Sequence, residues 1–316
     1  MTRMTLAGTA AAAAILVSIM VGAEANVGRE NLSILVETDA HEGPVVVTSQ
    51  NRLYFTTKPD FAAEDTFIAI RYVDLATNEV ETFRPRSNMA NGMWLTRDGT
   101  ALLVAEQGTR ETPGGISRIR LADGHREVLV DSFEGQPFHS PNKVIEAESG
   151  WIYFSDPDYG FNQGFKDQSP LPMAVYAFDP TTETTVRLTI EPDRPHGLAS
   201  SPDGKTLYIG DTDAIDGKSP YDPNKTRGVL GASLETSDKI GELTDLLSVP
   251  EGIPDGFITT PNGDLWVAAG DGVRRYTAEG EFLELLPIEN GAVNLTRDGN
   301  VLYITADTAI WRAEID

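Results

Sequence analysis

The chain contains no cysteine in 316 residues, which excludes disulfide cross-links, cysteine-held zinc and thiol nucleophiles. Basic residues are scarce: 25 Lys and Arg stand against 48 Asp and Glu, a formal charge of −23. A surface with that balance repels nucleic acid and anionic lipid, whose binding depends on Lys and Arg neutralising phosphate. Small solutes and metal cations are the partners it suits. Beyond residue 25 no run is apolar enough to span a bilayer. No serine-centred nucleophile elbow, P-loop or dinucleotide fingerprint stands in a strand-to-helix context. What is present is 40% hydrophobic residues, enough for a large core, with 29 Gly and 19 Pro that point to many turns rather than long helices.

The first 25 residues read as a cleaved signal peptide. Arg3 gives a positive start, residues 7–21 form an apolar, alanine-rich run too short to anchor well, and Ala23-Glu24-Ala25 has the small-x-small pattern of a processing site. The expected mature chain is residues 26–316, exported to the periplasm or the exterior.

Six copies of a turn followed by an alternating apolar strand organise the remainder. They are Ser49-Gln50-Asn51, Arg97-Asp98-Gly99, Glu148-Ser149-Gly150, Pro202-Asp203-Gly204, Pro261-Asn262-Gly263 and Arg297-Asp298-Gly299, each preceding a segment such as Leu53-Tyr54-Phe55 or Leu265-Trp266-Val267. Asp-Gly and Asn-Gly tolerate the positive φ of tight hairpins. Markers at 51, 99, 150, 204, 263 and 299 are separated by 48, 51, 54, 59 and 36 residues, close to one propeller blade of four short antiparallel strands. The last copy has room for only three strands, whereas residues 31–37 form an unpartnered apolar segment ahead of the first. The pattern predicts an all-β, six-bladed β-propeller in one domain, residues 26–316, its ring closed by the N-terminal strand joining the last blade.

Just upstream of each turn a polar residue opens the innermost strand: Glu42, Asn91, Asn142, His196, Asp255 and Asn294. Innermost strands line the channel of a propeller, so residues in one phase ring one mouth. Two carboxylates with amide oxygens suit a hard cation such as Ca²⁺. Such a cation polarises a carbonyl and lowers the pKa of bound water, both of which promote hydrolysis. Bringing Glu42 and Asp255 together uncompensated would be costly, and a cation is the simplest remedy.

Several segments carry a family resemblance: Ala90-Asn91-Gly92-Met93, Phe138-His139-Ser140-Pro141-Asn142, Ser155-Asp156-Pro157-Asp158-Tyr159-Gly160, Pro195-His196-Gly197-Leu198 and Pro254-Asp255-Gly256. Together they resemble the gluconolactonase and senescence-marker-protein family across most of residues 42–307. The resemblance implies a six-bladed propeller that holds one divalent cation and hydrolyses sugar lactones. It implies Glu42, Asn142 and Asp255 as metal ligands, Asp255 also as general base, and Asn91 and Asn142 as substrate contacts. More weakly it brings Glu106, Tyr159 and His139 toward the substrate, with Arg110 and Asp211 as further candidates.

Two positions depart from the family. His196 stands where a ligating Asn is usual, and imidazole suits Zn²⁺, Fe²⁺ or Mn²⁺ better than Ca²⁺. His196 is accordingly open between metal ligand, catalytic acid or base, contact through a water, and plain turn residue. Lys143 stands where Asp commonly follows Asn142, and its charge either enters the site or points outward. The expected function is opening of a lactone such as an aldonolactone to the hydroxy acid. The alternatives are a secreted propeller phosphotriesterase or arylesterase, and a non-enzymatic binding propeller with a structural cation.

Overall fold

Alternation with period two places successive side chains of each strand on opposite faces, and here both faces are buried. The computed structural model describes residues 31–61 and 66–315, so the signal-peptide expectation for residues 1–25 lies outside the described residues. Six antiparallel sheets of at least four strands follow one another along the chain. The first is built from Ala40–Val47, Arg52–Thr57, Ile70–Asp74 and Val80–Arg84, in that order outward. The second to fifth repeat this meander, beginning at Ala90–Leu95, Val144–Glu146, Pro195–Ser200 and Phe257–Thr259.

The sixth sheet holds Asn294–Asp298, Val301–Thr305 and Ala309–Glu314, and its outermost strand is Leu32–Glu37 from the other end of the chain. That strand pairs antiparallel with the last one, Leu32 opposite Ala313 and Glu37 opposite Ala309. The fold is the six-bladed propeller that the repeat predicts, with its ring closed as expected. All six turn markers, Asn51, Gly99, Gly150, Gly204, Gly263 and Gly299, have positive φ, which is the conformation their residue types favour.

The core is divided among the gaps between neighbouring blades. Leu53 and Phe55 pack with Tyr303 and Ile310 of the sixth blade, whereas Tyr54, on the opposite face, packs with Met93, Leu102 and Val104 of the second. Phe154 and Tyr176 of the third blade pack with Leu103 and Ile116 of the second. Trp266 of the fifth packs with Leu302 and Ile304 of the sixth. Each blade is thus apolar on both faces, and its stability depends on having two neighbours. No helix among the described residues is long and apolar enough to cross a membrane.

Candidate active site

The six polar residues upstream of the turns come together because the innermost strands are irregular at their start. The pairing register of the first two strands shifts between Ala40 and Glu42 and again between Glu42 and Val45. It shifts likewise between Ala90 and Met93 in the second blade and between Pro195 and Leu198 in the fourth. Such bulges break the regular alternation and re-aim a side chain. Glu42, Asn91 and His196 sit in these bulges, and Asn142 and Asp255 each lie two residues ahead of their strands, Val144–Glu146 and Phe257–Thr259.

Glycine follows four of the six ring residues, and it allows the blades to approach. A Cβ on Gly256 would lie 2.1 Å from Asn294 Oδ1, and one on Gly92 would lie 2.6 Å from the carbonyl oxygen of Asn142. The ring residues form the floor of a cavity of about 350 Å³ lined by Glu42, Asn91, Asn142, His196 and Asp255. One ligand atom from each of Glu42, His196 and Asp255 lies within 4.8 Å of the others. Asn294, whose place in the ring was the least regular in sequence, belongs to it as well: its Nδ2 donates to Glu42 Oε2 at 2.7 Å.

Charge in this floor is balanced from within the chain. Lys143 points inward with its side chain 7% exposed, donating from Nζ to Glu42 Oε1 and lying 3.4 Å from Asp255 Oδ1. Burial raises the Glu42 carboxyl, but the charge and hydrogen bond of Lys143 together with the nearby histidines outweigh it and hold Glu42 down at about 2. Burial pushes Asp255 well above the usual carboxylate range, and the nearby negative charge of Glu42 adds to the rise while Lys143 opposes it. His196 is driven down to about 3, first by burial and then by the Lys143 charge, so its ring is neutral. Its Nδ1 lies 3.3 Å from the carbonyl oxygen of Asp255, which can only accept, so the proton sits on Nδ1 and Nε2 keeps its lone pair. The amide oxygens Asn91 Oδ1 and Asn142 Oδ1 are buried and accept no hydrogen bond among the described residues.

The chain as a whole has counterparts among known proteins. The family model for the SMP-30/gluconolactonase/LRE-like region matches residues 40–308, the propeller apart from the two outer strands of its sixth blade, Leu32–Glu37 and Ala309–Glu314. The chain belongs to that family. It is 28% identical over 294 residues to a gluconolactonase of Zymomonas mobilis, covering 86% of this chain and 77% of the relative. A lactonohydrolase of Aspergillus oryzae is 28% identical over 285 residues, covering 84% of this chain and 64% of that longer protein. The solved gluconolactonase of Xanthomonas campestris superimposes with a TM-score of 0.76 at 27% identity, covering 90% of this chain and 89% of the other.

Within this SMP-30/gluconolactonase-like propeller the remaining sequence candidates divide. Tyr159 lines the cavity, its hydroxyl 2.7 Å from Thr212 Oγ1 and its ring edge-on to His196 at 5.4 Å. Glu106 does not line it: the carboxylate is buried in an ion pair with Arg126, with Nε 2.9 Å from Oε1. His139 is turned away too, its Nε2 2.6 Å from the carbonyl oxygen of Leu171. Arg110 is an exposed residue paired with Asp167, and Asp211 accepts from the backbone N–H groups of Arg194 and Asp213.

Three features of the site went unassigned in the sequence. Asp156, inside the Ser155-Asp156-Pro157 motif, accepts the backbone N–H groups of His139 at 2.9 Å and Ser140 at 2.8 Å, and so fixes the loop that delivers Asn142. Lys166 ties the same loop to the second blade by donating to the carbonyl oxygens of Phe138 and Gln107 at 2.8 and 2.9 Å. At the rim, His41 Nδ1 lies 2.7 Å and Lys58 Nζ 2.5 Å from the two oxygens of Asp307. Burial lowers the His41 pKa, but the Asp307 bond together with the charges of Glu42, Asp307 and Asp255 outweighs it, and the net shift is upward. No local motif marks this trio, since Asp307 is 266 positions from His41.

Proposed function

We propose that this protein hydrolyses a lactone, opening the ring of a compound such as an aldonolactone to the hydroxy acid. The observation that carries the reading is the convergence of Glu42, His196 and Asp255 within 4.8 Å on the floor of the cavity, beside two unpartnered amide oxygens. That donor set fits one divalent cation. Glu42, Asn142, His196 and Asp255 would hold it, the oxygens suiting Ca²⁺ and the imidazole Zn²⁺, Fe²⁺ or Mn²⁺. When bound, the ion supplies Lewis acidity toward a carbonyl oxygen and its developing negative charge.

The chain's own groups do the rest. Asp255, on the cavity floor, accepts the proton of the attacking water as general base. Asn91 orients the ring oxygens, and Tyr159 with His196 shapes the wall against which the ring lies. One observation favours a second substrate class: Phe61, Ile215 and Ile253 line the walls above the polar floor. An alkyl-substituted lactone or aryl ester would bury its apolar portion there.

A pH-stat panel of sugar lactones, alkyl lactones, phenyl acetate and a phosphotriester separates these readings. Acid release from at least one lactone is expected, lost in chelator and restored by one preferred metal. Release from none sinks the lactonase reading, and undiminished release in chelator sinks the metal. The reading also places the mature protein in the periplasm or outside the cell, supported by the processing pattern at residues 23–25. N-terminal sequencing of protein isolated from cells should begin at residue 26, and an intact residue 1 would overturn that.

A further inference from the structure

Four ring residues, Glu42, Asn91, His196 and Asp255, are followed by glycine, whereas Asn142 is followed by Lys143. The stem of that lysine passes under the ring beside Gly92, where an added Cβ would come 3.2 Å from Lys143 Cδ. Its ammonium then rises between the two acids, donating to Glu42 Oε1 and lying 3.4 Å from Asp255 Oδ1. The other Glu42 oxygen already accepts from Asn294. A Ca²⁺ ion needs carboxylate oxygens at roughly 2.3–2.6 Å. It would approach the same oxygens that the ammonium occupies, and two cations so close repel strongly in a buried setting.

We propose that Lys143 is a resident counter-cation, which a divalent metal must displace, and that it thereby sets the metal affinity of the site. The displaced side chain has a place to go: a second cavity of about 210 Å³ lies along the channel, lined by Lys143, Gly92, Gly197, Gly256 and Asn294. Two carboxylates at the floor of a narrow channel are then compensated whether or not a metal is present. The fold does not depend on metal supply, and the cost is weaker metal binding.

The inference rests on the metal-site reading above but not on the substrate, so its test uses no lactone. Calorimetric titration of the mature chain with CaCl₂ and with MnCl₂ is compared with the same titration of Lys143→Met, which keeps the length of the side chain and removes its charge. The Met variant should bind at least one of the two ions about tenfold more tightly or better, corresponding to ~1.4 kcal/mol. Lys143→Arg, which keeps the charge, should bind no more tightly than the wild type. Equal or weaker binding by Lys143→Met, or no binding by either protein, overturns the proposal. The latter result leaves the lactonase reading to the acid-release assay. Should the Met variant fail to fold, ¹⁵N spectra of lysine-labelled wild type decide the question. Saturation with diamagnetic Ca²⁺ should move the Lys143 Nζ resonance, and an unmoved resonance at saturation counts against displacement.

Discussion

Replacing Asp255 by asparagine is expected to lower kcat for lactone opening by about a thousandfold, the order that a lost general base costs, while the propeller stays folded. The amide fills the same volume. The backbone bonds at this position, from Asp255 N–H to the Ala268 carbonyl and from His196 to the Asp255 carbonyl, do not involve the carboxylate. Glu42 keeps its partner in Lys143. The variant also reports on the electrostatics of the site in the presence of chelator. Burial pushes the Asp255 carboxyl to about 7 in the folded chain, against an ordinary value of 3.8. Between those values the folded state binds the proton and the unfolded state does not, so this group's contribution to stability is full below pH ~4 and is lost as the pH rises through about 7. Asp255→Asn removes that loss, and its Tm at pH 8 in chelator should be no lower than that of the wild type. Thermal scans at pH 5 and 8 beside initial-rate assays check both statements; a variant within tenfold of wild-type turnover disproves the role of base.

A chain that begins at Asp39 should lose roughly 10 °C or more in Tm and associate at concentrations where the longer chain does not. The missing strand Leu32–Glu37 pairs with Ala309 to Ala313 of the last strand, and its Leu35 and Val36 pack against the core between the first and sixth blades. Without it the last strand, which carries Trp311, becomes an open edge and a template for pairing with another molecule. Attaching residues 31–37 after Asp316 should recover most of the loss, because Leu32 already lies opposite Ala313 across the ladder and a short loop would join them. Circular dichroism melts and size-exclusion profiles of the three chains give the answer. A truncated chain that melts within a few degrees of the parent would mean that closure contributes little.

The fold was legible because its signals are local and repeated. A turn that needs positive φ selects Asn or Gly, and six such turns at blade spacing, each leading an alternating strand, leave few architectures. The odd strand at the N-terminus was assigned by elimination: three strands at the C-terminus required a fourth. The ring of Glu42, Asn91, Asn142, His196, Asp255 and Asn294 was legible for the same reason, as equal phase in equal repeats becomes proximity once the ring closes.

Where a side chain's direction depends on two blades at once, the sequence was silent. Glu106 and His139 occupy loop or strand-end positions that look equivalent to substrate contacts, yet Arg126 draws one carboxylate away and the Leu171 carbonyl takes the other residue's ring. Asp156 and the His41–Lys58–Asp307 trio act through bonds to distant segments that no spacing announces.

By itself the sequence determined the propeller, the order of its blades and the six residues that open its innermost strands, because period-two alternation and turn chemistry are properties of neighbouring residues. Only the tertiary structure decided that Lys143 turns inward between Glu42 and Asp255. That choice balances the desolvation of one ammonium against the mutual repulsion of two buried carboxylates, and these groups, 101 and 112 positions away in the chain, meet only when the ring is closed.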